Sequence, residues 1–407
     1  MVAARASDTR GKVSPPVWRI LLHSSVFGLA LSIADLLFNF YLVSLGYTSA
    51  TAGLFSTVSR AAGMLLGIPL GMMIDRIGPQ RSILIGLATY AAGWALILQF
   101  TSLWVMVPLQ FLIGGAYILT STAVTPLLAG VTRDDQRATI FGWNASAALV
   151  VGLAGSALGG VLPSFAAGVI HVGAQETSAY RLALTVVIAL SVTAMLPVIG
   201  RMPTVSHERA VGSPPVPTAL LPLRTLARLG LAGLMLGMGG GAFLPFQNLY
   251  FRSMFGMGDA AVGVVLAWAA LSMGVGGLLG APLARRMGLR RAAALLRIGS
   301  APAMLLMLLP SLIPAAAGFF LRGLFVAASF PLNDAIVMRA TPPRQRGMAG
   351  SMMNVLWAGG WALAAWISGV VQERWGFAPV IIFASAAYGL SALAILTLPI
   401  PDEGVPQ

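Results

Sequence analysis

The ionisable side chains inside long apolar stretches of this 407-residue sequence include Asp35, Arg60 and Arg322. A charge at the centre of a membrane helix costs about 2.5–3.5 kcal/mol, so such a residue is a functional candidate. A carboxylate at that depth can bind and release a proton, and a guanidinium can bind an anion or pair with the carboxylate. These residue types therefore indicate ion or substrate binding inside a membrane.

Asp35 and Arg60 are expected at the same depth. The turn between their segments centres near Tyr47, with Asp35 twelve residues before it and Arg60 thirteen residues after it. At the rise of an α-helix, each residue lies about 18–20 Å from that turn. Two interpretations stay open: a structural ion pair that locks the first two helices, or an Asp35 carboxyl that titrates during transport.

Several uncharged polar residues accompany these charges. Asn39 shares a helix face with Asp35, and Pro245 after a run of three glycines predicts a bent or broken helix before Gln247 and Asn248. Asn144 and Asn354 are explained as well by hydrogen bonds between helices as by ligand binding. The candidate substrate- or ion-binding residues are Asp35, Asn39, Arg60, Asn144, Gln247, Asn248, Arg322 and Asn354.

Other chemistry lacks the residues that it needs. The sequence has no cysteine and only three histidines, which are widely spaced, so we expect no metal site. There is no phosphate-binding loop ending in Lys-Ser/Thr, no His-Glu-x-x-His and no pair of carboxylates at catalytic spacing. We therefore expect neither an enzyme nor a cofactor.

The composition is that of an integral membrane protein. Apolar residues make up 57% of the chain and charged residues 9%, too few charges to cover a soluble domain. The net charge of +13 comes from short arginine clusters between apolar runs, without a basic stripe containing aromatic residues. Nucleic-acid binding is therefore not expected.

Twelve segments are long and apolar enough to cross a membrane, and the fold class predicted is an all-α membrane protein. They cover residues 17–44, 50–74, 82–101, 103–130, 138–162, 181–200, 226–254, 259–284, 291–310, 312–339, 347–371 and 377–400.

The basic residues predict the orientation of these segments. With a cytoplasmic N-terminus, 19 of the 25 basic residues lie in inside segments and three in outside segments. This asymmetry is a positive-inside signal that places both termini in the cytoplasm. The proline-rich stretch 201–224 has the composition of a linker, so the predicted domains are 1–200 and 225–407, each with six spans.

The two halves repeat each other at an offset of about 210 residues. Gly53 corresponds to Gly263, and Asn144 corresponds to Asn354. The loop residues Arg76, Gly78 and Arg81 correspond to Arg286, Gly288 and Arg291. A duplicated six-helix unit explains these matches.

The loop after the second span resembles the signature of the major facilitator superfamily of secondary transporters, G-x-x-x-D-R-x-G-R-K-R. The sequence keeps Gly71, Asp75, Arg76, Gly78 and Arg81, but has Pro79 and Gln80 at basic positions of the pattern. The resemblance implies two pseudo-symmetric six-helix bundles, a cavity lined by spans 1, 4, 7 and 10, and alternating access. It also implies that the five matching residues form a conformational gate.

A second pattern resembles a motif found chiefly in exporters of that superfamily. It comprises Gly142, Gly155-Ser156 and Gly159-Gly160, with Ser156 and Val151 as departures, and ordinary helix packing explains it equally well. Gln110 stands where drug/proton antiporters of the family often have an arginine. This departure speaks against a drug/proton antiporter of the usual kind.

These features together predict a proton-coupled carrier of a small solute, with a preference for export. We expect a monomer in the lipid bilayer of the plasma membrane, the inner membrane of a bacterium. Alternatives are an ion-coupled uptake symporter, a facilitator, a membrane receptor or scaffold that does not transport, or a membrane enzyme whose motif is not recognised.

The predicted topology can be tested because the chain has no cysteine. A single cysteine from Ser178→Cys should react with an impermeant maleimide from outside, and one from Ser206→Cys from inside. Reaction of both from the same side would mean that the span count between them is wrong by an odd number.

Overall fold

The computed structural model describes residues 13–133, 136–200, 202, 223–341 and 346–398. Most of the predicted linker 201–224 lies outside these residues, as do Ser206 and the basic residues Arg5, Arg10 and Lys12. The described chain is helical, and no strand occurs in it.

The described residues of the first half form six helices. They are α1 (Pro15–Ser44), α2 (Ser49–Ile77), α3 (Pro79–Ile97), α4 (Leu103–Val131), α5 (Arg137–Ile170) and α6 (Thr177–Thr193), followed by a 3₁₀ turn at Leu196–Val198.

The second half repeats this pattern with one interruption. Its helices are α7a (Leu223–Phe243), α7b (Gln247–Phe255), α8 (Asp259–Met287), α9 (Leu289–Leu306), α10 (Leu312–Ala340), α11 (Arg346–Trp375) and α12 (Ala378–Leu396). A 3₁₀ turn over Leu244–Phe246 joins α7a to α7b. Pro245 cannot donate the backbone hydrogen bond that a continuous helix needs, so the predicted break is confirmed.

Ten of the helical spans are long and apolar enough to cross a membrane, with α7a and α7b together forming one of them. The short helices α3 and α9 are not in this set. Helix α9 carries Arg290, Arg291 and Arg297 within 18 residues. Several boundaries differ from the predicted ones, most clearly at α5, which continues to Ile170 beyond the predicted end at 162.

The turn after α2 and the turn after α8 have the same backbone conformation. Gly78 has φ +87° and Gly288 has φ +86°, a region that side-chain-bearing residues rarely adopt. These two glycines occupy equivalent positions in the repeat. The shared backbone conformation explains why both halves have a glycine there.

The halves meet through two equivalent helix pairs, α2 with α11 and α5 with α8. A Cβ atom on Gly53 would lie 2.5 Å from the backbone oxygen of Ala365, and one on Gly263 would lie 2.5 Å from that of Ser156. Both distances are shorter than any ordinary contact, so only glycine lets these backbones approach so closely. The Gly53–Gly263 match found in the repeat is thus a packing requirement.

Several side-chain contacts between the halves lie at one side of the molecule. We call the side where α1 begins and α12 ends the terminus side, and the side where α1 ends and α2 begins the far side. On the far side, Thr48 donates to Glu373 (3.0 Å), Ser49 to the Gly369 oxygen (3.3 Å) and Thr57 to the Ala362 oxygen (2.7 Å). The two halves are therefore joined at the far side.

A larger residue at Gly263 should separate α5 from α8. We expect Gly263→Val to lower the melting temperature of the purified protein by several degrees, because overpacking costs about 1–3 kcal/mol. Gly277→Val in the same helix is the matched control, since a Cβ there meets nothing within 4 Å. Equal melting temperatures for the two variants would contradict the close-packing role of Gly263.

Candidate substrate site

A cavity of about 160 Å³ lies between the two halves. Helices α1, α5, α7b, α8 and α10 and the 3₁₀ turn before α7b contribute its walls, whereas the predicted contribution of α4 is missing among its lining residues. Its apolar wall includes Leu36, Leu266, Met273 and Phe319. The volume is well below the ~300–1,000 Å³ of pockets that hold drug-sized molecules, so the cavity fits a small solute.

Asp35 is the acidic residue of this cavity. Its side chain is exposed although its neighbours from Ile33 to Leu42 along the helix are otherwise buried. The exposure arises because Asp35 faces the cavity. Its carboxylate forms no hydrogen bond or salt bridge with another described residue. The carboxylate is therefore available to a proton or a ligand.

Arg322 lines the same cavity from α10, in the opposite half. Its side chain is 3% exposed, and its Nε donates to the Tyr388 hydroxyl at 2.9 Å, with a further bond from Nη2 to the same oxygen. The guanidinium also lies 5.3 Å from the centre of the Tyr388 ring. Tyr388 orients the arginine but leaves its positive charge without an acidic partner in salt-bridge distance among the described residues.

Arg60 interacts electrostatically with Asp35, but the two side chains are not within salt-bridge distance. Its guanidinium lies over two indole rings of α11, 4.4 Å from the centre of the Trp361 ring and 5.3 Å from that of Trp357. A cation above an aromatic face gains about 0.5–2 kcal/mol, depending on its desolvation. Trp357 and Trp361 are therefore a platform for Arg60 and join α2 to α11, a role that sequence spacing did not indicate.

Asn39 and Asn248 close the cavity toward the far side. The Asn39 amide donates to the Asn248 side-chain oxygen at 2.9 Å and to the backbone oxygen of Pro245. In return, the Asn248 amide donates to the backbone oxygen of Leu36 at 2.6 Å. The partners are related by the internal repeat, with an offset of 209 residues in both cases. Both residues were predicted as ligands, but their amides are used between the halves.

A second polar contact closes the far side and was missed by the sequence analysis. The Tyr180 hydroxyl, in the first half, donates to Asp259 at 2.6 Å and accepts from Arg252 at 2.9 Å, both in the second half. Arg252 also forms a salt bridge with Asp259 at 3.4 Å and lies over the Phe40 ring at 4.6 Å. We call Tyr180, Arg252 and Asp259 the far-side latch.

The signature loop lies on the terminus side. Asp75, Arg76 and Arg81 are exposed, and Asp75 forms no hydrogen bond or salt bridge with another described residue. The proposed gate is thus not engaged in this conformation, in which the far side is closed. A latch role for Gly71, Asp75, Arg76, Gly78 and Arg81 stays a prediction.

The remaining candidates occupy different places. Gln247 lines the cavity and has no hydrogen-bond partner among the described residues. Asn144 and Asn354 do not line it, and the side-chain oxygen of Asn144 is buried without a partner in the described structure. Ligand binding by Asn144 and Asn354 stays a prediction.

The sequence of this chain matches one protein family over nearly its whole length. The family model of the Major Facilitator Superfamily matches residues 20–230 and 229–407. The chain is a member of the major facilitator superfamily. Membership makes it a secondary transporter and not an enzyme, and confirms the all-α membrane fold. A comparison with curated proteins found no match.

Solved structures of other transporters share this superfamily fold. A mutant of the nucleoside transporter NupG has a TM-score of 0.76 at 16% identity, covering 94% of this chain and all of that one. A bacterial homologue of the human lysosomal transporter Spinster, inward-facing and unoccupied, has a TM-score of 0.68 at 15% identity over 94% of both chains. A bacterial homologue of the iron transporter ferroportin, inward-facing, has a TM-score of 0.71 at 13% identity, covering 94% and 98%.

The far-side latch should set how often this transporter opens at the far side. Tyr180→Phe removes the hydroxyl that joins the halves and leaves the Arg252–Asp259 salt bridge intact. Loss of a hydrogen bond to a charged group costs about 1.5–3 kcal/mol, so we expect about a tenfold or greater rise in far-side opening.

A single thiol can report this opening. Ser156→Cys places it on the cavity wall, and its reaction with an impermeant maleimide added at the far side gives the accessibility. The control is Tyr250→Phe, whose hydroxyl donates to the Met307 oxygen inside the second half. The latch would be disproved by equal far-side reactivity in both tyrosine variants.

Proposed function

We propose that this transporter couples export of a small solute to the movement of protons, by alternating access of the cavity to the two sides of the membrane. The observation that carries the proposal is Asp35, an unpaired carboxylate that faces the cavity at mid-helix. In such a position a carboxyl group can bind a proton from one side and release it to the other.

The orientation that fits the charges places the terminus side in the cytoplasm. In this orientation, 19 of the 25 basic residues lie in cytoplasmic segments, in agreement with the positive-inside rule. The conformation described here is then inward-facing, closed to the outside by the Asn39–Asn248 pair and the far-side latch. A solute from the cytoplasm would enter the cavity in this state.

Export is supported by the glycines of α5. A Cβ on Gly155 would lie 2.5 Å from the Ser32 Cβ, and a Cβ on Gly160 would lie 2.7 Å from the Asp259 oxygen. These glycines seat α5 against α1 and α8, so the pattern that resembles the exporter motif helps to shape the cavity and the interface between the halves. This packing role of the α5 glycines is compatible with a transporter that exchanges a proton for a solute.

The substrates of the structural neighbours do not carry over at 13–16% identity, because that likeness concerns the fold. For a metal ion the donor set is also missing: no group of three or more His, Asp or Glu side chains that could hold one occurs in the described part of the chain. We therefore propose an organic solute.

Coupling can be tested without knowledge of the solute. In the Ser156→Cys background, a pH gradient imposed across reconstituted liposomes should change the ratio of far-side to terminus-side labelling severalfold. Asp35→Asn should abolish this response while leaving the thiol accessible, because the amide keeps the shape but cannot titrate. Asp334→Asn is the control, since Asp334 is an exposed carboxylate of α10 that does not line the cavity.

The other possible results of this labelling experiment each lead to a different conclusion. A full pH response in Asp35→Asn would exclude Asp35 as the coupling residue. Labelling that changes between sides without any response to pH would favour a facilitator. A thiol that reacts from one side only, under every condition, would indicate a receptor or scaffold.

A further inference from the structure

The two unpaired charges of the cavity have opposite signs and come from opposite halves. Asp35 projects from α1 of the first half, and Arg322 from α10 of the second half, into one cavity with mostly apolar walls. They are not within salt-bridge distance of each other, since neither has an ionic partner among the described residues. The cavity is therefore a site with one negative and one positive group, large enough for a small molecule between them.

Arg60 interacts electrostatically with Asp35 from outside the cavity. Its guanidinium is held over the rings of Trp357 and Trp361 and is not among the groups that line the cavity. A ligand in the cavity meets the Asp35 carboxylate on one wall and the Arg322 guanidinium on the other. Gln247 adds an amide without a hydrogen-bond partner among the described residues.

We infer that the solute is a small zwitterion, with a protonated amine that pairs with Asp35 and a carboxylate that pairs with Arg322. A solute with only a carboxylate would bring a second negative charge into the cavity beside Asp35, and a solute with only an amine would leave Arg322 without an anionic partner in a largely apolar cavity. A zwitterion satisfies both charges, and its body contacts the apolar wall formed by Leu36, Leu266 and Phe319.

This inference rests on the proposed function, and it supplies the exchange that export requires. The amine of the solute and the transported proton both bind the Asp35 carboxylate, so they exclude each other. A proton arriving from the far side would release the amine, and a solute arriving from the terminus side would replace the proton. Arg322 holds the carboxylate of the solute throughout this exchange.

Matched ligands test this assignment in the purified full-length protein. Leucine, 3-methylbutylamine and 4-methylpentanoate share one apolar body and carry both charges, the amine alone or the carboxylate alone. Phenylalanine, 2-phenylethylamine and 3-phenylpropanoate form a second set. Protection of the Ser156→Cys thiol from alkylation gives the apparent affinity of each ligand.

We expect at least one zwitterion to protect at a concentration tenfold or more below that of either of its analogues. Asp35→Asn should remove the advantage of the zwitterion over the acid, and Arg322→Gln the advantage over the amine. Asp35→Glu and Arg322→Lys, which keep the charges, should retain part of the selectivity. A purely structural role would lower expression in the charge-removing variants without changing the order of the ligands.

Two results would overturn the inference: a singly charged analogue that protects as well as its zwitterion, or no protection by either zwitterion. Labelling of the same thiol without ligand, from each side of the membrane, separates this failure from failure of the proposed function. Reaction from both sides keeps the transporter and rejects the zwitterion. Reaction from one side alone rejects alternating access, whatever the ligand order.

Discussion

The reciprocal pair of amide contacts between Asn39 and Asn248 is the interaction on which this conformation depends. Each amide donates to a backbone oxygen of the other half, at Pro245 and Leu36, and the two side chains are joined at 2.9 Å. Because Asn39 and Asn248 are equivalent positions of the repeat, each half contributes the same kind of contact to the interface between the halves. Pro245 breaks the helix there, and a broken helix leaves a backbone oxygen free to accept.

The close helix crossings extend this contact across the far side. Gly53 and Gly263 let backbones touch at equivalent places, so the two halves form one continuous surface around the amide pair. Arg252, Asp259 and Tyr180 add a charged contact at its edge. The cavity lies on the other side of the amide pair, where Asp35 is one helical turn away from Asn39. Closure of the far side and exposure of the carboxylate are thus properties of the same helix face.

The sequence predicted the elements well because hydropathy and glycine spacing are properties of single segments. The break before Gln247 followed from Pro245. Asp35, Gln247 and Arg322, which the sequence offered as candidate ligands, line one cavity, and their role as ligands stays a prediction. Partner choice was less predictable. Arg60 lies over Trp357 and Trp361, and Arg322 is held by Tyr388, because aromatic partners on distant helices leave no periodic signal. Tyr180 and Asp259 were missed for the same reason, since their contact depends on how two halves meet.

Alternating access requires two closed states with similar free energies, since a large difference would hold the transporter in one of them. The far side is closed here by the amide pair, the glycine crossings and the far-side latch. On the terminus side, Asp75 and Arg76 are exposed, and Asp75 forms no hydrogen bond or salt bridge with another described residue. A ligand that joins Asp35 to Arg322 would connect the halves through the cavity without favouring either set of contacts. The same bound solute could then be carried through both states. When a proton replaces its amine at Asp35, the proton would be the cation that is carried back in the opposite direction.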